Sequence, residues 1–457
     1  MTETVLLVGG GGREHAIARA VADDCALYAC ASNRNPGIRR LADGFESIEE
    51  TDGGAIADYA TAVGADLAVI GPESALAAGV ADALDEAGVY AFGPRAEEAR
   101  LETDKAYQRE FMDEESIPGC PDYAVFDDIE AACAHVDEYD GDLAVKPAGL
   151  TGGKGVKVIG DQVTAEEAKA YLRDSDYDRV VLEERLVGEE FTVQAFVANG
   201  EIRTTPAVQD HKRAYEGDEG PNTGGMGSYT DTGLSLPFMA EGDYDAAVDV
   251  LEAVVDALPD YKGVLYGQFM LTDAGPKVVE FNARFGDPEA MNTLPMLDTP
   301  FVDVLTAARD GDSAAHSAAG SEGHSPSGNQ ASPGDSRTQS GDALPELSFS
   351  GEATVCKYAV PEGYPTDPDA GAKIEVDEES VGDALLYYAS VDERADGLYT
   401  TTSRSFAVVG LGDSIAAAEA EAENALAAAG DRVRIRHDIG TADLVERRIE
   451  HMNELRE

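Results

Sequence analysis

The sequence predicts a multidomain α/β and α+β protein: a doubly wound parallel sheet first, a mixed region of hairpins and helices next, and a small α+β domain last. Three observations carry this. Strand-like and helix-like patterns alternate over the first hundred residues, as in a parallel sheet covered on both faces. Beyond them, strands follow one another as hairpins between helices. Near residue 320 a stretch poor in apolar residues separates a final short block. At 457 residues the chain can hold two to four domains with well-buried cores.

Thr4–Val8 is a run of apolar residues and reads as a buried strand, and Arg13–Asp23 has helical spacing. Ala26–Ala31, Leu67–Ile70 and Val89–Phe92 are further strands, with one Ala-rich helix predicted over Ala75–Ala87. From Leu101 to Arg309 the strands are Leu143–Lys146, Lys157–Ile159, Val180–Glu184, Thr192–Val197 and Lys277–Asn282. His316–Gly341 is dominated by Ser, Gly, Pro, Asp and Gln, which cannot bury a core, so a flexible linker is expected there. Ser348–Val360 and Phe406–Gly410 read as strands, Ile415–Ala428 as an Ala/Glu helix, and Arg432–Arg436 as a short extended piece.

Charge narrows the function classes. Asp and Glu number 89 against 34 Lys and Arg, a net charge of −55, which argues against nucleic acid or an anionic membrane as partner. The acids are dispersed along helix faces rather than gathered in one tail. Such a coat suits concentrated salt, and a halophilic source is the expectation. The five cysteines lack paired spacing, so neither a disulfide framework nor a zinc site is expected. No signal peptide or membrane-spanning run is evident, and a reducing cytoplasm is the expected location. A monomer is expected, with a weak dimer as the alternative.

The scarce cations fall in motif-like stretches. Ala144–Lys157 leads from an apolar strand through Lys146 into Gly149-Leu-Thr-Gly152-Gly153-Lys154-Gly155-Val156. Glycines there free backbone N–H groups to wrap phosphate oxygens. The spacing is not that of a Walker A loop, and a hairpin lid over a nucleotide fits better than an ordinary Gly-rich turn. Gly9-Gly10-Gly11-Gly12-Arg13-Glu14-His15 joins a strand to a helix, the context for anion binding at a helix N-terminus. A dinucleotide fingerprint fails there, because Glu14 occupies the last glycine position and no acidic residue ends the second strand. A phosphate of a smaller ligand fits better, with a tight turn that binds nothing as the alternative.

Gly71-Pro72-Glu73 ends another strand of the same sheet, where Glu73 can accept from sugar hydroxyls. Val180–Glu190 runs an apolar strand into an acidic segment suited to an adenine edge and a ribose. Gln209-Asp210-His211-Lys212-Arg213 is a rare basic cluster, followed by the backbone-donor loop Pro221–Gly227. Glu280, Asn282 and Arg284 share one face of a strand by period-two alternation. A carboxylate beside an amide oxygen suits a hard cation that also takes phosphate oxygens, and Arg284 can clamp a carboxylate or phosphate. The alternative is a polar sheet face on which Glu280 pairs with Arg284.

The order of these motifs resembles the ATP-grasp ligases, and more narrowly the glycinamide ribonucleotide synthetase family. Gly10–Ala16, Gly71-Pro72-Glu73, Asp104-Lys105-Ala106, Lys146–Val156, Gln209–Arg213, Pro221–Gly227 and Glu280–Pro288 carry the resemblance. It implies a Rossmann-like domain over 1–102, an ATP-grasp domain over 103–312 with a lid near 119–190, a flexible insert over 313–345, a C-terminal domain over 346–445 and a tail over 446–457.

It further implies that Lys105, Lys146, Lys154, Gly155 and Val156 meet ATP phosphates or form the lid, and that Glu183, Leu186 and Glu190 hold adenine and ribose. Glu280 and Asn282 match ligands of Mg²⁺ or Mn²⁺. Phosphoribosylamine would lie against Gly11, Gly12, Glu73 and Gly225, glycine against Asp210 and Arg284, and Arg13 and Lys212 would meet one or other of these two substrates. Arg284, Lys146 and Asp210 would carry catalysis. The implied reaction joins glycine to 5-phosphoribosylamine through a glycyl phosphate in the second step of purine synthesis. Where many relatives carry an additional acidic metal ligand, this chain offers Gln268. The competing readings are another ATP-grasp ligase or carboxylase of purine synthesis, and a nucleotide-binding dehydrogenase.

Overall fold

A computed structural model describes residues 2–149, 155–320, 343–428, 430 and 432–457. The first sheet is wholly parallel, with Gly44–Ser47 at one edge, then Ala26–Ala31, Thr4–Val8, Leu67–Ile70 and Tyr90–Phe92. This is the doubly wound order, and its switch lies between the first and fourth strands of the chain, where the glycine loop and Gly71 emerge. Gly44–Ser47 escapes sequence reading because Gly-Phe-Glu-Ser is too short and polar for a buried-strand pattern. The single helix expected over Ala75–Ala87 is two, Glu73–Ala77 and Val80–Glu86. Gly79, at φ 75°, breaks it, since an Ala-rich period continues across a glycine that the backbone does not treat as helical.

The middle of the chain builds two four-stranded antiparallel sheets. Tyr123–Phe126, Val180–Glu184, Leu143–Pro147 and Lys157–Val158 form the smaller one, with two helices packed on it as a separate apolar cluster. The larger one orders Glu201–Thr204, Glu189–Ala198, Gly263–Thr272 and Gly275–Asn282. A bulge between Gln268 and Phe269 shifts the last pairing and leaves Glu280 opposite Gln268.

The C-terminal domain is not separate from this region. Gln209–Asp210 and Gly227–Thr230 extend its sheet of Ala353–Pro361, Phe406–Gly412 and Leu385–Tyr388. One apolar cluster runs from Leu6 and Val8 through Phe191 and Leu265 to Val355, Leu444 and Met452, so all three regions share a core.

Two boundaries differ from expectation. The insert assigned to 313–345 opens inside the helix Phe301–Gly320, and Leu344 is again buried, its carbonyl accepting from Arg203. Residues 321–342 lie outside the described ones. The tail assigned to 446–457 is the second half of the helix Ala442–Arg456, whose Met452 is fully buried. Its charged surface hides an apolar stripe, which makes so short a segment read as solvated. All five cysteines are unpaired, and four of them are buried. No described helix is long and apolar enough to cross a membrane.

Candidate active site

A cleft of about 650 Å³ opens where the three regions meet. The first sheet contributes Gly10–Glu14 and Glu73, the middle region Lys105, Asp210, Lys212, Glu280, Asn282 and Arg284, and the C-terminal domain Ser390, Thr401, Ser403 and Arg404. Most of the residues singled out in the sequence therefore converge, although they span positions 10 to 284.

The glycine loop is held from inside. Glu14 is buried, accepts from the Gly11 amide at 2.7 Å and pairs with Arg13 at 2.7 Å. Arg13 donates also to the Phe285 carbonyl at 3.0 Å, tying the first domain to the segment that follows the strand Gly275–Asn282. A Cβ on Gly71 would stand 2.0 Å from the Glu14 carboxylate, so only glycine fits there. Glu14 thus fills the space where a dinucleotide fingerprint needs its last glycine for close packing, while helix Gly12–Val21 still begins at the cleft.

Arg284 is gripped by two acids. Its guanidinium meets Glu102 at 2.8 Å and Glu73 at 3.6 Å, which raises its pKa and keeps it charged despite burial. Burial pushes the Glu102 carboxyl up, against the pull of Arg284 and the amide of Ala283. For Glu73 burial acts upward too, but Arg284 and Arg13 outweigh it and hold the carboxyl low. Glu280 pairs with Lys212 at 3.7 Å rather than with Arg284. Burial would raise Glu280, yet Lys212, Lys105, Lys146 and Arg284 pull it down to about 2, so it is an ionised acceptor.

Asp210 behaves oppositely: burial and the nearby Glu289 raise it well above a normal carboxyl. Its Oδ1 has no hydrogen-bond partner among the described residues. Gly225, at φ 110°, lies so close that a Cβ would come within 2.7 Å of that oxygen.

Lys105 begins the helix Lys105–Glu114, fixed by the Asp104 side chain capping Ala106 and Tyr107. Its ammonium lines the cleft and has no ion pair or hydrogen bond among the described residues. Lys146 is buried and not among the residues that line the cleft, giving one proton to Glu183 at 2.7 Å and one to the Val279 carbonyl at 3.0 Å. A third remains for a ligand.

Glu183 has a different task from the adenine or ribose contact expected of it. It is buried, and its carboxylate is taken by the fork of Arg109 at 2.9 and 3.0 Å as well as by Lys146. Three charged donors occupy most of its lone pairs, and it is buried away from the cleft lining. Leu186 and Glu190 flank the turn joining Val180–Glu184 to Glu189–Ala198, and Glu190 accepts from Gln268 at 2.6 Å. Gln268 in turn accepts from Lys212 at 2.5 Å, so an amide bridges acid and base where an acidic ligand was absent from the sequence. Gly155 and Val156 lie at the edge of the smaller sheet. Lys154 lies outside the described residues.

Arg109, Glu102, Glu289, Tyr358 and Arg404 were missed by sequence reading. Glu102 adjoins the Asp104-Lys105 motif and Glu289 follows Asp287-Pro288, so proximity to a motif could have flagged them. Arg109 and Arg404 had no signal, being single cations in ordinary helix and loop contexts.

The comparisons agree with this layout. Models of the phosphoribosylglycinamide synthetase N domain, ATP-grasp (A) domain and C domain match residues 3–102, 103–290 and 354–442. A phosphoribosylamine–glycine ligase of Methanosarcina barkeri is 49% identical over 462 residues, covering 99% of each chain. One from Methanopyrus kandleri is 46% identical over 474 residues, again covering 99% of both. The crystal structure of phosphoribosylamine–glycine ligase from Thermotoga maritima superposes with a TM-score of 0.75 at 25% identity, covering 95% of this chain and 99% of that one. The biotin carboxylase domain of a Hydrogenobacter thermophilus 2-oxoglutarate carboxylase shares the fold, with a TM-score of 0.67 at 16% identity over 99% and 94% of the chains. A glycine loop closed to dinucleotides, a two-sheet nucleotide region and a C-terminal domain sharing one cleft are thus matched over nearly the whole length, and the chain belongs to the phosphoribosylglycinamide synthetase family.

Proposed function

We infer that this chain is an ATP-dependent ligase that joins glycine to 5-phosphoribosylamine. Glycine is first phosphorylated on its carboxylate, and the sugar amine then displaces phosphate to give glycinamide ribonucleotide, ADP and phosphate, the second step of purine synthesis. One observation carries most weight. In a protein of net charge −55, the ammonium of Lys105 lines the cleft with no ion pair or hydrogen bond among the described residues, the ionised Glu280 being the acid that feels it. Such a charge is stable there only where an anion comes to meet it. We assign Lys105 and Lys146 to the ATP phosphates, and Lys154, Gly155 and Val156 to the lid above them. Leu186 and Glu190 are placed at the adenine and ribose.

The donor set fits a divalent ion. Glu280 is ionised, and Asn282 adds an amide oxygen from the same strand. No described cluster of three His, Cys, Asp or Glu could hold a metal by itself. Mg²⁺ or Mn²⁺ would therefore be held by Glu280 and Asn282 together with nucleotide oxygens, supplying positive charge to the transferring phosphoryl group.

Arg284, preorganised by Glu102 and Glu73, is assigned to the glycine carboxylate, and Asp210 to its ammonium. Gly11, Gly12, Arg13, Glu73, Lys212 and Gly225 are assigned to phosphoribosylamine. Little covalent chemistry falls to the protein, so alignment and charge neutralisation supply the rate. All these groups come from one chain, so a monomer suffices, and the cytoplasm, where ATP and glycine meet, is the setting we assign.

Purified protein given ATP, Mg²⁺, glycine and phosphoribosylamine should release ADP only when both co-substrates are present. Lys146→Ala should lower that rate on the order of 10²-fold or more while keeping its fold, because Glu183 retains the Arg109 fork. Glycine-independent ATP hydrolysis, or normal turnover by the variant, would defeat the assignment.

A further inference from the structure

Asp287 follows the strand Gly275–Asn282 and lines the cleft, with its side chain 14% exposed. Its two oxygens are treated unequally. Oδ1 accepts from the Tyr358 hydroxyl at 2.5 Å and meets Arg404 at 3.2 Å. Oδ2 has no hydrogen-bond partner among the described residues. Both clamps come from the C-terminal domain. Arg404 lies 4.5 Å over the Tyr358 ring and also donates to the carbonyls of Gly224, Gly225 and Asp287 at 2.6, 3.0 and 2.8 Å. Five contacts on one arginine, and a phenol that burial keeps protonated, fix which oxygen of Asp287 is spent and which is offered.

The free oxygen stands at a junction. A Cβ built on Gly11 would be 3.7 Å from Oδ2, so it faces the glycine loop of the first domain. The neighbouring Pro288 packs on Gly225, where a Cβ would lie 2.6 Å from the proline ring and 2.7 Å from Asp210. Asp287 thus lies between the groups assigned to the sugar phosphate and those assigned to glycine. The nitrogen that attacks the glycyl carbon must occupy this place.

We propose that Asp287 is a further catalytic residue, whose Oδ2 accepts a hydrogen bond from the amine of phosphoribosylamine and takes its proton during attack. The proposal rests on the ligase reading above. The nitrogen lone pair forms the C–N bond and the bond from the acyl carbon to the phosphate oxygen breaks. Phosphate leaves with that electron pair, and the proton shed by nitrogen passes to Asp287 and then to solvent. Phosphorylation of glycine needs none of this, so Asp287 serves the second step alone. Tyr358 and Arg404 are positioning residues that keep the carboxylate turned.

The test separates the two steps. Asp287→Asn is compared with the wild type by measuring ADP and glycinamide ribonucleotide together, with hydroxylamine added in a parallel run to trap glycyl phosphate. Ligated product should fall on the order of 10²–10⁴-fold while ADP release falls much less, the surplus appearing as glycyl hydroxamate. Tyr358→Phe, which keeps the carboxylate and leaves Oδ1 to Arg404 alone, should show the same excess of ADP over product to a smaller degree. Should Asp287→Asn fail to fold, the Tyr358→Phe ratio decides alone. Product and ADP falling together one to one, or an unchanged product rate, overturns the role of Asp287. A wild-type protein that ligates no glycine to phosphoribosylamine defeats the ligase reading instead.

Discussion

His15 and His211 both fall in motifs that the sequence singles out, yet neither reaches the cleft. His15 stacks on Tyr388, 6.3 Å between ring centroids, and its Nδ1 accepts from the Tyr388 amide at 2.8 Å, pinning the first helix to the C-terminal domain. His211 follows the strand Gln209–Asp210, is buried outside the cleft lining, and neither ring nitrogen has a partner among the described residues. Burial, aided by Arg19 at His15 and by Arg448 at His211, lowers both imidazoles to about 3. The unfolded chain takes up these protons near pH 6.5, whereas the folded one refuses them. Stability is therefore fully present above 6.5 and lost as pH falls below it, by about 1.4 kcal/mol per pH unit for each histidine. Urea unfolding between pH 7 and 5 should show this slope, and His15→Gln, which keeps an acceptor but cannot titrate, should remove about half of it. A slope that His15→Gln leaves untouched would mean His15 is not the titrating group. Side-chain alternation foretells which residues of Gln209–Arg213 share a face, but not which face meets the ligand.

At the scale of elements, legibility followed burial. Ala26–Ala31 and the cores of Thr4–Val8 and Val180–Glu184, Val5–Val8 and Val180–Leu182, were readable because they are near-continuous apolar runs, as strands covered on both faces must be. Gly44–Ser47 at the sheet edge, and Gln209–Asp210 inside a polar motif, offered no such run. The candidate site was legible wherever glycines and scarce cations sit together, and illegible where one side chain, such as Arg404, arrives from a distant loop. The helix Ala442–Arg456 shows the same limit. Its Arg448 pairs with Asp218 and, at 3.3 Å, with Glu189, while His451 meets Glu189 at 2.6 Å. These acids lie behind the strand of Asp210. Arg448→Ala leaves Glu189 buried with only a histidine and an amide for company, and should cost on the order of 3 kcal/mol. A lowered urea midpoint would register the loss. Adding Glu189→Gln should restore part of it, because the uncompensated charge is then gone. Equal effects in single and double variants would show the helix to be held by its apolar face alone.

For the whole molecule, the excess of acids sets two electrostatic effects against each other as salt rises. Surface pairs such as Arg34–Asp392 and Arg173–Glu130 weaken, but exposed pairs of this kind contribute little to begin with. Repulsion among the unmatched carboxylates also weakens, and these are numerous, since 34 cations cannot neutralise 89 acids. The cations most critical to the fold are shielded from solvent. Lys357 and Arg436 have fully buried side chains, each held by two acids, so salt reaches them least. Relief of repulsion should therefore win. We predict that the first thermal transition rises as KCl goes from 0.1 to 1 M, where the screening length shrinks from about 10 Å to about 3 Å, and then levels off. Levelling matters, because stabilisation by exclusion of salt from the protein surface would instead keep rising with concentration. A transition that falls with KCl would mean that the ion pairs outweigh the repulsion, and the halophilic reading of this surface would fail with it.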